Sequence, residues 1–154
     1  MLQIIPPICF IFFNYSPFNL LPLFPIMKKK IFVVEKDEAI LEVITHILTE
    51  EGYKVISSRT EEGIVEHVLK FKPDAILLDI ITPTEEGTKL CRSLKANKKT
   101  KYIPVIVLST HIKVPESIKE VCADDALAKP FNIADLLSII EGHIADKNSI
   151  GSAI

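Results

Sequence analysis

Residues 75–79 read "AILLD": four apolar residues in a row, then a carboxylate. A strand wetted on one face alternates apolar with polar side chains, whereas an unbroken apolar run is covered on both faces. "IFVV" at 31–34 and "PVIVLS" at 104–109 have the same character. Three such strands imply a parallel sheet between two layers of helices, and the intervening chain supplies those layers. Residues 38–51 place Ile40, Leu41, Ile44, Ile47 and Leu48 at helical spacing and stop at Gly52. Thr60 is positioned to cap a second helix, with Glu61 and Glu62 at its positive end and Ile64, Val65, Val68 and Leu69 inward. Residues 85–96 present Leu90, Cys91 and Leu94, and 115–122 read as a short helix. Asn132 caps a last helix with Leu136, Leu137, Ile140 and Ile144 inward. With "YKVISS" at 53–58 and "DALA" at 125–128, five strands alternate with five helices, a doubly wound α/β fold.

The totals narrow the function. The chain has 154 residues, enough for one domain with a sizeable core. Charged residues make up 25% and the net charge is −2, which gives no case for a nucleic-acid binder. Cys9, Cys91 and Cys122 form no C-x-x-C pair, which fits a reducing compartment and speaks against a disulfide framework or a zinc site. His46, His67, His111 and His143 are scattered without ligand spacing.

Residues 1–27 differ from the rest: no charged side chain, five of the ten prolines and five of the eight phenylalanines. Prolines 6, 7, 17, 22 and 25 break the segment too often for a membrane span, which needs about 20 consecutive apolar residues. No positive n-region or small-residue cleavage site marks a signal peptide. "MKKKIFVV" from Met27 reads as a natural start, which makes the preceding residues a non-native or disordered extension. Two other roles stay open for them: membrane association through the basic run Lys28–Lys30, and a partner-binding tail. The expected organisation is an extension at 1–27, one domain at 28–147 and a tail at 148–154, with no room for an output domain after Ile144.

In an open parallel sheet, ligands bind at the carboxyl ends of the strands, at the switch point. The polar residues collect there. Glu35, Lys36 and Asp37 follow the first strand and Asp79 ends the third. Ser109 and Thr110 end the fourth, and Lys129 follows the fifth and precedes Pro130. In a 2-1-3-4-5 strand order the first and third strands are neighbours, so Glu35–Asp37 meet Asp79.

The chain here resembles the receiver domains of two-component response regulators, over roughly residues 29–146. The resemblance is carried by "VVEKD", "ILLDIITPTEEG", "PVIVLST" and "CADDALAKPF", with Asp79, Pro83 and Gly87 in D-x-x-x-P-x-x-x-G spacing and K-P-F at 129–131. It implies a flavodoxin-like five-stranded sheet and a cytoplasmic signalling protein, not an enzyme. It implies that Asp79 accepts a phosphoryl group from a sensor histidine kinase or phosphotransfer protein, and that the domain then binds a downstream protein partner. A carboxylate suits that task, because the acyl phosphate formed is easily reversed. It further implies Mg²⁺ held by acids after the first strand, Glu35 among them, by Asp79 and by the Ile81 carbonyl. Lys129 and Ser109 would contact the phosphate, and the Lys129–Pro130 bond would be cis. A flavodoxin-like cofactor protein would instead need a small-residue phosphate loop where "EKDEA" stands, and those acids repel a phosphate.

Three departures qualify the resemblance. Lys36 occupies the second acidic place, a change of two charge units. A unit charge at about 4 Å and an effective dielectric near 20 is worth about 4 kcal/mol. Ordinary Mg²⁺ affinity is therefore not expected. Three outcomes are open: Asp37 reaches the metal by a one-residue shift, the Lys36 ammonium stands in as a fixed cation, or Lys36 pairs with Glu35 or Asp79 in a degenerate pocket. Ala126 replaces the usual aromatic switch residue, and Cys122, read as a small core residue, replaces a glycine. These departures support a second function, a phosphorylation-independent pseudo-receiver acting as an adaptor.

Overall fold

The computed structural model of the protein describes residues 28–80, 85–110 and 122–150. Strands β1 (Lys30–Val34), β2 (Lys54–Ser58), β3 (Ala75–Asp79), β4 (Val105–Ser109) and β5 (Asp125–Ala128) form one parallel sheet in the order β2-β1-β3-β4-β5. Helices α1 (Glu38–Glu50), α2 (Ile64–Phe71), α3 (Glu85–Ala96) and α4 (Ile133–Ile150) connect or follow them. The helix expected at 115–122 lies outside the described residues except for Cys122, as does the segment before Lys28.

The unbroken apolar runs are the central strands, and every residue of β3 and β4 is buried. Because successive side chains point to opposite faces, each run feeds two half-cores. Phe32, Val34, Ile76, Leu78, Val105 and Val107 pack with Ile64 and Val68 of α2 and Leu90, Cys91 and Leu94 of α3. Ile31, Val33, Ala75, Leu77, Ile106 and Leu108 pack with Leu41, Ile44 and Leu48 of α1 and Leu136, Ile140 and Ile144 of α4. Each fully buried Leu or Ile contributes roughly 1.5–3 kcal/mol by leaving water.

Local chemistry sets the boundaries. Asp37 caps α1, its Oδ1 accepting the Ile40 N–H at 3.0 Å. At the other end Tyr53 N–H bonds to Leu48 O and Gly52 N–H to Thr49 O, with Gly52 at φ +87°. That double bond pattern satisfies the last carbonyls of the helix and requires a left-handed residue. Asn132 Oδ1 accepts the Asp135 N–H at 2.8 Å, as its position before α4 predicts.

One expectation about a helix end is corrected. Thr60 does not cap α2, which begins at Ile64 behind Gly63, a left-handed residue making no side-chain cap bond. The Ser58 hydroxyl holds the Thr60 backbone instead, accepting its N–H at 3.2 Å and donating to its carbonyl at 2.8 Å. Such a local bond competes with helix initiation. At the C-terminus α4 continues to Ile150.

Candidate functional site

Strand register builds the site. Val34 pairs with Leu78, so Glu35 and Asp79 leave adjacent strands side by side. Ser109 pairs with Ala128, and the next residue, Lys129, donates its N–H to the Ser109 carbonyl at 2.8 Å. Glu35, Asp79, Ser109 and Lys129 thus come from the carboxyl ends of four strands to one place, as the sequence places them.

The Lys129 ammonium joins the two acids. It donates to Glu35 Oε2 at 2.5 Å and to Asp79 Oδ1 at 2.9 Å. Both acids are buried, Glu35 at 1% and Asp79 at 7% exposure. Two buried carboxylates without a counter-charge would be costly, and Lys129 offsets that cost. Burial alone would lower the Lys129 pKa, but the hydrogen bonds it donates to Glu35 and Asp79, with their charges, outweigh it and the net direction is upward. The trio carries one net negative charge. Glu35 is fixed further, Oε1 accepting the Asp37 N–H at 3.0 Å and its own N–H donating to Ser58 O at 3.1 Å.

The loop residues go elsewhere. Asp37 does not join the acidic pocket, because its exposed carboxylate caps α1. Lys36 does not pair with Glu35 or Asp79, which already hold Lys129. Its half-exposed side chain reaches Glu61 Oε1 at 3.2 Å. Ser58 and Glu61 are the site neighbours that sequence reasoning missed. Nothing local marks them, and only the pairing of β1 with β2 brings them there. Ile81 lies outside the described residues. The Lys129–Pro130 bond is cis, as expected. Ala126 is partly buried against the half-core of α2 and α3. Cys122 is not a core residue: it is exposed in a turn at φ +62°, a conformation that suits the glycine it replaces.

A hard divalent cation needs oxygen ligands in near-octahedral array. Both Glu35 oxygens accept hydrogen bonds, the Asp37 carboxylate serves α1, and a lysine stands in the second acidic place. Among the described residues no three His, Cys, Asp or Glu gather to hold a metal. Lys36 and the diverted Asp37 leave Glu35 and Asp79 as the carboxylates here that could hold a Mg²⁺, one acid fewer than the resemblance implies.

A family model, the response regulator receiver domain, matches residues 31–141. The chain belongs to the response regulator receiver domain family. It carries the receiver fold of two-component signalling. Its curated relatives include the response regulators MprA of Mycolicibacterium vanbaalenii and Mycobacterium ulcerans, 31% and 32% identical over 114 residues. Each match covers 73% of this chain and 48% of the relative, so the chain spans about half the length of these proteins. Among solved structures, the receiver domain of sensor histidine kinase PA1611 from Pseudomonas aeruginosa PAO1 superposes with a TM-score of 0.67 at 28% identity, covering 77% of this chain and 98% of that one. That receiver was crystallised with a magnesium ion in its active-site cleft. Vibrio cholerae chemotaxis protein CheY4 gives a TM-score of 0.66 at 25% identity, over 75% and 98% of the two chains. Among the described residues of this receiver no helix is long and apolar enough to cross a membrane.

Proposed function

We propose that this receiver accepts a phosphoryl group on Asp79 from the phosphohistidine of a sensor histidine kinase or phosphotransfer protein, and signals by binding a protein partner. The observation that carries this reading is the Lys129 ammonium bridging buried Glu35 and Asp79 at the switch point. An Asp79 oxygen attacks phosphorus, the bond to the imidazole nitrogen breaks, and the imidazole keeps the electron pair and takes a proton. Lys129 is placed to turn from Asp79 to the phosphoryl oxygens, and Ser109 lies one step beyond on the neighbouring strand. Phosphoryl transfer depends mostly on such positioning and on charge neutralisation. The protein acts as a signalling component rather than an enzyme on an external substrate, and cysteines without C-x-x-C spacing suit the cytoplasm.

The test is intact-mass measurement after incubation with acetyl phosphate or a phosphorylated donor protein, with and without Mg²⁺. Wild type gains one phosphoryl group and Asp79→Asn gains none. No gain by wild type under any of these conditions rejects the reading. A second reading, an adaptor that works without phosphorylation, draws on Lys36 in the acidic place and on Ala126 in the aromatic one. It is the reading left if wild type stays unmodified and Asp79→Asn still binds the partner.

A further inference from the structure

We propose that Lys36 takes the place of the divalent cation in this receiver: its ammonium leaves Glu61 and pairs with the phosphoryl oxygens on Asp79, so that transfer proceeds without metal. The inference rests on the reading of Asp79 as phosphoacceptor.

Charge balance motivates it. Glu35, Asp79 and Lys129 together carry one net negative charge. In transfer from acetyl phosphate, an Asp79 oxygen attacks phosphorus and the bond to the acetyl oxygen breaks. Acetate leaves with the electron pair, and the acyl phosphate carries two negative charges where the carboxylate carried one. The pocket then holds two net negative charges, beside a Glu35 that is 1% exposed. A transition state with charge spread over the phosphoryl oxygens needs a second cation near them. The second acidic place, which would add a ligand for a metal, holds Lys36 itself, and the Asp37 carboxylate that could replace it is turned to the α1 cap.

Lys36 meets the requirement. It is covalently next to Glu35, and its side chain is 51% exposed and so unconfined by packing. Its contact with Glu61 is a surface ion pair, the kind that contributes little and exchanges readily. A further cation near this rim, Arg59, is engaged by Glu38 at 3.0 Å. The exchange also has a mechanical consequence. Glu61 precedes α2 by three residues, and Gly63 at the helix start makes no side-chain cap bond. Losing Lys36 frees the segment that leads into α2. Phosphorylation would then be reported at the α2 end of the sheet, in a receiver whose Ala126 lacks an aromatic ring to move.

The experiment is acetyl phosphate labelling of the full chain in chelator-treated buffer, read by intact mass. Amide NMR shifts at Glu61 and Gly63 give a second readout. Wild type is expected to be labelled without metal, and Lys36→Ala to be labelled at least roughly tenfold more slowly, since a cation at a transferring phosphoryl group is worth that much or more. Lys36→Arg restores labelling by restoring charge, and the Glu61 and Gly63 amides shift on labelling of wild type but not of Lys36→Ala. Metal-free labelling of Lys36→Ala at the wild-type rate overturns the inference and leaves Asp79 as acceptor. Labelling of wild type only with Mg²⁺ does the same. Absence of labelling with any donor, with or without Mg²⁺, removes the reading of Asp79 and this inference together.

Discussion

Lys129 is held by two buried carboxylates and Lys36 by one partly exposed carboxylate, and burial decides what each can do. The buried pair fixes Lys129, while the surface pair leaves Lys36 exchangeable. Replacing Lys36 by Asp puts an acid back beside Glu35. Lys36→Asp is expected to bind Mg²⁺ at least roughly tenfold more tightly than wild type, because two units of local charge reverse at short range. Isothermal titration checks this, and equal affinities would mean that another residue limits the site. Cys91 behaves differently from either lysine. Burial pushes its thiol up to about 12, against a smaller lowering by Lys95. In the unfolded chain the thiol ionises near ~8.5. The fold therefore holds a proton that the unfolded chain releases, and stability falls as pH rises from about 9 towards 12. Lys129, also shifted upward, loses its contribution in the same direction above its unfolded value. Cys91→Ala should flatten the alkaline limb of a stability-versus-pH curve from urea melts. An unchanged limb would assign it to Lys129 and Tyr53, whose phenol burial also pushes upward.

At the scale of elements, the turns separate what composition reveals from what only geometry reveals. Gly52 ends α1 in a left-handed conformation, and the residue type announces it. Cys122 sits at φ +62° and its residue type conceals it. A side chain in that region costs roughly 1–2 kcal/mol, and an exposed cysteine returns little by packing. Cys122→Gly is expected to stabilise the fold by about 1 kcal/mol, read from the urea midpoint at unchanged slope. Destabilisation instead would show that the side chain makes a contact worth more than the strain. The same contrast explains what the sequence made legible. Unbroken apolar runs marked the buried central strands, and α3 and β5 lie where their patterns place them. Glu35, Asp79, Ser109 and Lys129 were legible because strand ends converge by topology alone. The partners of Lys36 and Asp37 were not, because a loop side chain chooses among nearby groups by geometry. Asp37 had a local signal, three residues before Ile40 at a helix start, but its acidity pointed equally to the pocket. Thr60 failed as a cap because Ser58, two residues earlier, satisfied its backbone first.

For the whole molecule, one sheet serves two half-cores, and the strand that carries Asp79 belongs to both. Ile76 and Leu78 face α2 and α3, while Leu77 faces α1 and α4. Damage at the centre of β3 should therefore reach the site, whereas damage at the edge should not. Leu77 is fully buried two residues before Asp79, and Ile56 on edge strand β2 is 38% exposed. Leu77→Ala is expected to cost about 2–5 kcal/mol, the range for truncating a buried leucine. Ile56→Ala should cost less, roughly 1–1.5 kcal/mol, because over a third of the residue stays in water and no closed cavity is left behind. Urea melts measure both. Amide exchange at Ile80 then separates local from global effects, because its N–H bonds to Leu108 O at 3.0 Å beside the site. If the two half-cores are coupled through β3, Leu77→Ala lowers protection at Ile80 and at Val68 of α2 alike, although Val68 lies on the other face. Loss of protection confined to α1 and α4 would mean that the layers open independently, and that the site is held by β3's hydrogen bonds rather than by the packing beneath it.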